Sequence, residues 1–344
     1  MKSSFFDVVI VGSGPSGVHA AYPLVKAGLR VAIIDGCLEN SSTIKVNQLL
    51  KIKSNIEIIQ SLAKGGLSEV WPGICDYFTS EELTKIGLPA DEILREYKVI
   101  AKLINLNLKP PLDIHVESIL DSERNVYQLP QTFSYRTSSV IDDFKKFKNF
   151  TYFSNQLVLK VKEKKGYAEI QSYSINNLTE SYTKARFIIL AAGSINTTRI
   201  LLRSFNLYNY KTPFLTKRNY AIICLHTKTL IKKAKLKTAH PGQVAISNND
   251  YFIQFYKCNP FSLHKALPYI PLPKTIASLM FAVFTPHLII ADVRFTTLEG
   301  KKKFYRLKKA SDGDILEIFF HQTNSQLQNQ KRKLKKIKKK LLSL

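Results

Sequence analysis

Three observations predict an α/β fold. Residues 7 to 35 read as strand, glycine turn, helix and strand, which is the unit of an open, doubly wound parallel sheet. Residues 185 to 204 repeat the theme with an apolar strand, a small-residue turn and a helix. Elsewhere, stretches that alternate apolar and polar residues mark antiparallel strands, so a second, α+β part built on an antiparallel sheet is expected beyond residue 206.

In order along the chain, Val8 to Val11 has the β-branched content of a strand buried on both faces. Gly12, Gly14 and Gly17 follow directly. Gly12 suits the tight turn out of the strand, Gly14 the approach of backbone to a pyrophosphate, and Gly17 the close packing of the next helix on the sheet. Pro15 and Ser16 complete the turn at the helix start, where unpaired N–H groups and the positive dipole end favour phosphate. Ala20, Ala21, Leu24 and Val25 give that helix an apolar face, and Gly28 ends it. Arg30 to Ile34 then form a second strand that ends in Asp35, whose carboxylate can accept hydrogen bonds from a ribose. A glycine pattern alone is weak, but strand, glycines, helix, strand and acid in this order point to a pyrophosphate-containing cofactor.

Composition sets further bounds. At 344 residues and 45% hydrophobic content the chain can bury the cores of two domains. The N-terminal apolar run is too short for a signal peptide and has Asp7 at its start. Cys37, Cys75, Cys224 and Cys258 lie too far apart for a metal site or redox dithiol, so reduced thiols, no metal and a cytoplasmic location are expected. The formal net charge of +25 is densest at the end of the chain, where Leu334, Ile337 and Leu341 recur at helical spacing among lysines. Two readings follow: a solvated helix whose apolar stripe packs on the body of the protein, or a basic amphipathic helix peripheral on the inner membrane face. No aromatic residue interleaves with those lysines, so no nucleic-acid partner is expected. Thr275 to Ala291 carries no formal charge, but Pro286 and His287 interrupt it, and a spanning helix needs about 20 residues. A core helix followed by a strand from His287 to Arg294 is expected, with a membrane-dipping segment as the alternative.

Two more segments carry chemistry. Lys64-Gly65-Gly66-Leu67-Ser68-Glu69-Val70-Trp71 puts paired glycines before a serine and a tryptophan, which suits backbone lying close against a ligand. Phe187 to Leu190 runs into Ala191-Ala192-Gly193-Ser194, a turn at the carboxyl end of a strand, where open α/β sheets bind ligands. With the first unit, these segments resemble the glucose-methanol-choline (GMC) oxidoreductases, FAD-dependent enzymes that oxidise alcohols, and among them the bacterial members found with surface-polysaccharide genes. The resemblance runs from residue 5 to about 205 and more weakly to about 295. It implies FAD as cofactor, with Gly12, Gly14, Pro15, Ser16, Gly17 and Asp35 on the ADP part and Gly65, Gly66, Ser68 and Trp71 along the flavin and pyrophosphate. It further implies that Val158 presents backbone to adenine and that Ala192, Gly193 and Ser194 pack near the adenosine. The substrate implied is an alcohol or sugar that passes a hydride to flavin N5, with an electron acceptor that the sequence does not name.

The chain departs from the family in two places. Pro72 stands where the family has glycine, which removes an N–H and fixes φ in that loop. The family ends with a catalytic histidine, a second histidine or asparagine, and a last strand and helix closing the site around an aspartate and glycines. After Asp314 this sequence has no glycine, aspartate or proline, so the C-terminal catalytic part is expected to be missing. His321, near Asn324, is the remaining candidate base, and the other histidines lack the companion spacing of a metal site or triad. The chain therefore reads as a FAD-dependent oxidoreductase acting on CH–OH donors, or as a truncated, non-catalytic flavin-binding remnant or half of a split enzyme completed by a C-terminal chain. A nicotinamide-dependent dehydrogenase shares the first motif but leaves Gly65 to Trp71 unexplained. Expected boundaries are 1–72 and 150–205 for the FAD-binding domain, 73–149 for a helical insertion, 206–320 for the substrate domain and 321–344 for the basic tail.

Overall fold

The computed structural model of the protein describes residues 5–37, 50–69, 78–105, 125–128, 135–177, 179–214, 216, 219–225, 244–247, 251–258, 273–295, 303–311 and 313–342. In chain order the elements are β1 (Phe5–Val11), α1 (Pro15–Lys26), β2 (Val31–Ile34), β3 (Ile52–Ser54), α2 (Ser80–Lys85), α3 (Ala90–Leu103), β4 (Asn125–Gln128), α4 (Thr137–Phe144), β5 (Phe150–Phe153), β6 (Gln156–Lys164), β7 (Tyr167–Ser174) and β8 (Glu180–Leu190). They continue as α5 (Gly193–Ser204), β9 (Thr212–Pro213), β10 (Asn219–Leu225), β11 (Val244–Ser247), β12 (Tyr251–Lys257), α6 (Lys274–Phe284), β13 (Leu288–Phe295), β14 (Lys303–Ala310), β15 (Gly313–Phe320) and α7 (Asn324–Leu342). The chain divides into two units, one of Met1–Trp71, Tyr135–Leu215 and Glu299–His321, the other of Pro72–Ser134, Thr216–Leu298 and Gln322–Leu344.

The first unit is the expected α/β part. Its six-stranded sheet runs β5-β2-β1-β8-β7-β6. β5, β2, β1 and β8 are parallel, and β7 and β6 are antiparallel additions. The continuous apolar runs of β1 and β2 are explained by cover on both faces. Val8, Ile10 and Ile33 pack with Val18 of α1 and with Ile141 and Phe144 of α4, while Val9, Val11 and Ile34 pack with Val158, Ile170 and Ile200. β8 serves two ladders, pairing with β7 over Glu180 to Ala185 and with β1 from Lys184 to Leu190. Among the described residues no strand pairs with the second edge of Arg186 to Leu190, and Phe187 within it is 68% exposed.

A four-stranded sheet, β3-β15-β14-β9, completes this unit. Leu307, Leu316 and Ile318 alternate inward and bury against Leu202 of α5. Residues 303–320 therefore lie in the unit of the six-stranded sheet, which differs from the expected extent, 206–320, of the substrate domain. α4 differs likewise. It falls in the expected helical insertion, 73–149, yet its Ile141 and Phe144 join the α1 core.

The second unit holds a five-stranded antiparallel sheet, β10-β13-β12-β11-β4. Ile253, Ala291, Val293 and Phe295 form its core, and α7 lays Leu334, Ile337 and Leu341 onto it. The apolar stripe of the basic tail is thus spent on the protein's own sheet, the first of the two readings. Gln330 on the same helix accepts hydrogen bonds from Tyr220 Oη and Gln322 Nε2, each at 3.2 Å. Ile337→Asp places a carboxylate in this core and is expected to cost about 3 kcal/mol or more. Thermal denaturation should show the loss, and trypsin should cut the lysine-rich helix faster; an unchanged digestion pattern would mean that the stripe is not docked.

α6 corrects an expectation. Its apolar composition reads as a core helix, but only Ala277 is buried there among the side chains described, while Leu279 is 70% and Val283 63% exposed. The strand that follows starts at Leu288, after a 3-10 turn over Thr285–His287. Among the described residues no helix is long and apolar enough to cross a membrane.

Candidate functional site

The site is built in the first unit where two turns meet, one between β1 and α1, the other between β8 and α5. Gly12 has φ +102°, and a Cβ there would lie 2.5 Å from the Ala191 carbonyl oxygen. A Cβ on Gly17 would overlap the Gly12 carbonyl oxygen and sit 3.4 Å from Ala191 Cβ. These two glycines are required by the protein's packing on itself. Gly14 is different. Its φ of −65° is ordinary, the nearest atom to its missing Cβ is Gly65 O at 4.0 Å, and it lines a cavity of about 560 Å³. Among the described residues the space beside Gly14 is open to the cavity. α1 begins with Pro15 at its first position, has no side-chain cap and no acid in its first turn, and so offers an N-terminus suited to an anion.

Asp35 ties this turn to the end of β2. Ser13 N–H donates to its Oδ2 at 2.6 Å and Cys37 N–H to its Oδ1 at 2.8 Å. Burial pushes its carboxyl above the usual range, and the hydrogen bonds from Ser13 and Cys37 oppose that shift. Each oxygen retains accepting capacity, and the residue lines the cavity.

The paired glycines approach from the other side. Gly65 (φ +88°) donates its N–H to Ser13 Oγ at 2.9 Å, and Gly66 (φ +61°) lines the cavity with its missing Cβ 3.8 Å from Gly14 Cα. A Cβ on Gly65 would overlap Glu69 Oε1 and lie 2.8 Å from Thr137 Oγ1. Ser68 turns inward. Its Oγ lies 2.8 Å from Gly65 O and 2.9 Å from Thr137 Oγ1, and Thr137 Oγ1 reaches Ser13 O at 3.0 Å. Arg136 donates to Ser68 O, while Glu69 accepts from Ser138 N–H at 3.3 Å and Ser138 Oγ at 3.0 Å, a carboxylate at the start of α4. Ser68, expected along the cofactor, instead clamps the Gly-Gly backbone, and it is not on the cavity wall. Trp71 lies outside the described residues.

Of the other expected residues, Pro15, Ser16, Val158, Ala192, Gly193 and Ser194 all line the cavity. Val158 is 5% exposed and is followed by a shift of register in β6, so the strand bulges where it meets the site. Gly193 (φ +73°) opens α5 behind Ala192. His321, the candidate base, is not among the residues of this cavity. It is exposed and follows β15. Sequence reasoning missed Ser13, Glu69 and Thr137, which tie the β1–α1 turn, the Gly65–Gly66 segment and the start of α4 together, and Asn196 and Arg199, which line the cavity. Only Ser13, lying between two motif glycines, carried a local signal. Among the described residues no group of three His, Cys, Asp or Glu side chains converges as a metal site would.

No protein-family model matches the chain, and no curated protein matches it. Among solved structures it is similar to a p-nitrophenol 4-monooxygenase from Pseudomonas putida DLL-E4, with 12% identity over 91% of this chain and 72% of that chain and a TM-score of 0.35. It is also similar to a flavoprotein/dehydrogenase from Cytophaga hutchinsonii, with 14% identity over 93% and 73% of the two chains and a TM-score of 0.35. An L-proline dehydrogenase from P. horikoshii shares 16% identity over 56% of this chain, with a TM-score of 0.26, and the chain spans 23% of that protein.

Proposed function

We propose that the cavity of the first unit binds the ADP part of FAD, and that the chain is a flavin-dependent oxidoreductase acting on an alcohol or sugar CH–OH group, as its GMC resemblance implies. The observation that carries the cofactor reading is Gly14. Among the described residues no atom explains its missing side chain, whereas those of Gly12 and Gly17 are explained. The α1 N-terminus would face the pyrophosphate, Asp35 would accept from ribose hydroxyls, and Val158 with Ala192 to Ser194 would flank the adenosine. Bound FAD supplies the hydride acceptor, and the protein supplies binding and orientation.

The test is the visible spectrum of the purified chain, before and after addition of FAD. A flavin spectrum, or a saturable fluorescence change on titration, is expected. A protein that stays colourless and leaves FAD fluorescence unchanged would sink this reading, and retention of nicotinamide without flavin would replace it.

A second reading is favoured by the edge of Arg186 to Leu190, unpaired among the described residues, and by the exposed Phe187: the sheet is completed by a segment outside this chain, as in a split enzyme. An unpaired edge beside an exposed aromatic is a template for strand addition. Co-expression with the downstream reading frame should then raise flavin retention; equal retention with and without it counts against the idea.

A further inference from the structure

α5 carries a positive charge that the described residues do not neutralise. Arg199 and Arg203 stand one turn apart on this helix, and both approach Asp314 on β15. Arg203 takes both carboxylate oxygens, with Nε 2.5 Å from Oδ2 and Nη2 2.6 Å from Oδ1. Arg199 is left with Nη1 at 3.9 Å from Oδ1, beyond hydrogen-bond reach, and with Nη2 donating to the Lys51 carbonyl at 3.0 Å. Its Nε–H is buried and has no hydrogen-bond partner among the described residues. Arg199 is 2% exposed and Asp314 8%. Two guanidiniums thus share one carboxylate away from water.

Such an arrangement is strongly unfavourable unless something else meets the second charge. Burial pulls Arg199 down to about 10, Arg203 pushes the same way and Asp314 opposes, so the guanidinium is still charged at neutral pH. Arg199 lines the same cavity as Gly14 and Asp35. So does Asn196, three residues earlier on α5, whose Oδ1 is buried without a donor while its Nδ2 sits 3.4 Å from Gln60 Oε1. The wall therefore presents an unmatched cation and, beside it, an unmatched acceptor.

We propose that Arg199 is an oxyanion-binding residue of this cavity: its guanidinium takes a phosphate or carboxylate oxygen of the bound ligand, and Asn196 Oδ1 accepts from a hydroxyl or amine next to that oxygen. The proposal rests on the reading of the cavity as a nucleotide site. A charged fork with a free Nε suits an oxyanion better than a neutral acceptor, and replacing it by lysine would keep charge but not the fork. The oxyanion has two sources, the phosphates of the nucleotide itself or a separate small anion beside it.

Calorimetric titration of the full chain with ADP, adenosine and inorganic pyrophosphate separates them, using wild type, Arg199→Met, Arg199→Lys and Asn196→Ala. If the nucleotide supplies the oxyanion, Arg199→Met weakens ADP at least tenfold and leaves adenosine within twofold, with Arg199→Lys between. If a separate anion does, ADP and adenosine are unchanged and pyrophosphate binding is lost. Arg199→Met removes an unmatched buried charge, so its Tm should not fall; a variant that did not fold would overturn the proposal by showing the charge to be structural. ADP, adenosine and pyrophosphate affinities that all ignore Arg199 overturn it and leave the nucleotide reading standing. A wild type that binds only pyrophosphate, through Arg199, overturns the nucleotide reading alone, and one that binds none of the three overturns both.

Discussion

Gly17→Ala is expected to unfold the first unit, whereas Gly14→Ala leaves it folded and removes nucleotide binding. In a helix interior alanine is ordinarily the better residue by about 1 kcal/mol. At Gly17 that gain is swamped, because the new Cβ would overlap the Gly12 carbonyl oxygen, backbone against backbone, with Gly12 itself held against Ala191. Relief requires moving α1 off β1, and a cost of about 3–5 kcal/mol is expected, a large share of a typical domain's stability. At Gly14 the backbone is ordinary and the nearest atom is 4.0 Å away, so stability should change by less than about 0.5 kcal/mol. The methyl group would instead fill the space beside the α1 N-terminus, and FAD affinity should fall at least tenfold, about 1.4 kcal/mol. Thermal denaturation and FAD titration of the two variants decide the matter. A Gly14→Ala protein with wild-type FAD affinity would show that this space is not used by the ligand.

Asp314→Asn is expected to have the other large effect. It leaves Arg199 and Arg203 facing each other on α5 with no carboxylate between them, and breaking a buried ion pair in this way costs about 3–5 kcal/mol. Adding Arg203→Met to Asp314→Asn should restore part of the loss, because it removes one of the stranded charges. Urea unfolding measures both. A loss below about 1 kcal/mol in the single variant would mean that water, not Asp314, neutralises Arg203.

The legible parts of this fold are those whose cause is local. β1, α1 and β2 could be read because buried parallel strands are continuously apolar and the glycine spacing is set within a few residues. The role of Gly17 was half legible: close packing was evident, but its tightest neighbour is the Gly12 carbonyl oxygen, not a side chain of the sheet. The Ser68–Thr137 clamp joins residues 69 apart, and nothing near either residue announces the other. Arg199 and Asp314 are hidden for the same reason, since a buried ion cluster has no period and no spacing. α6 misled because apolar composition reports the tendency to be covered and says nothing of which residues remain exposed.

The pairing of β3 with β15 also bears on how the chain acquires its shape during synthesis. Asn55 exchanges hydrogen bonds with the backbone of Phe320, a partner 265 residues further on. At about 5–20 residues per second, translation needs roughly 13–50 s to deliver that partner. Until then the β1–α1–β2 half emerges with β3 unmatched and with α5 lacking Asp314, so the cavity wall is assembled late. Long-range closure of this kind slows folding and lengthens the interval in which an open strand can meet another nascent chain. The yield of folded protein should therefore depend on synthesis rate and chaperone supply more than the stability of the finished molecule would suggest.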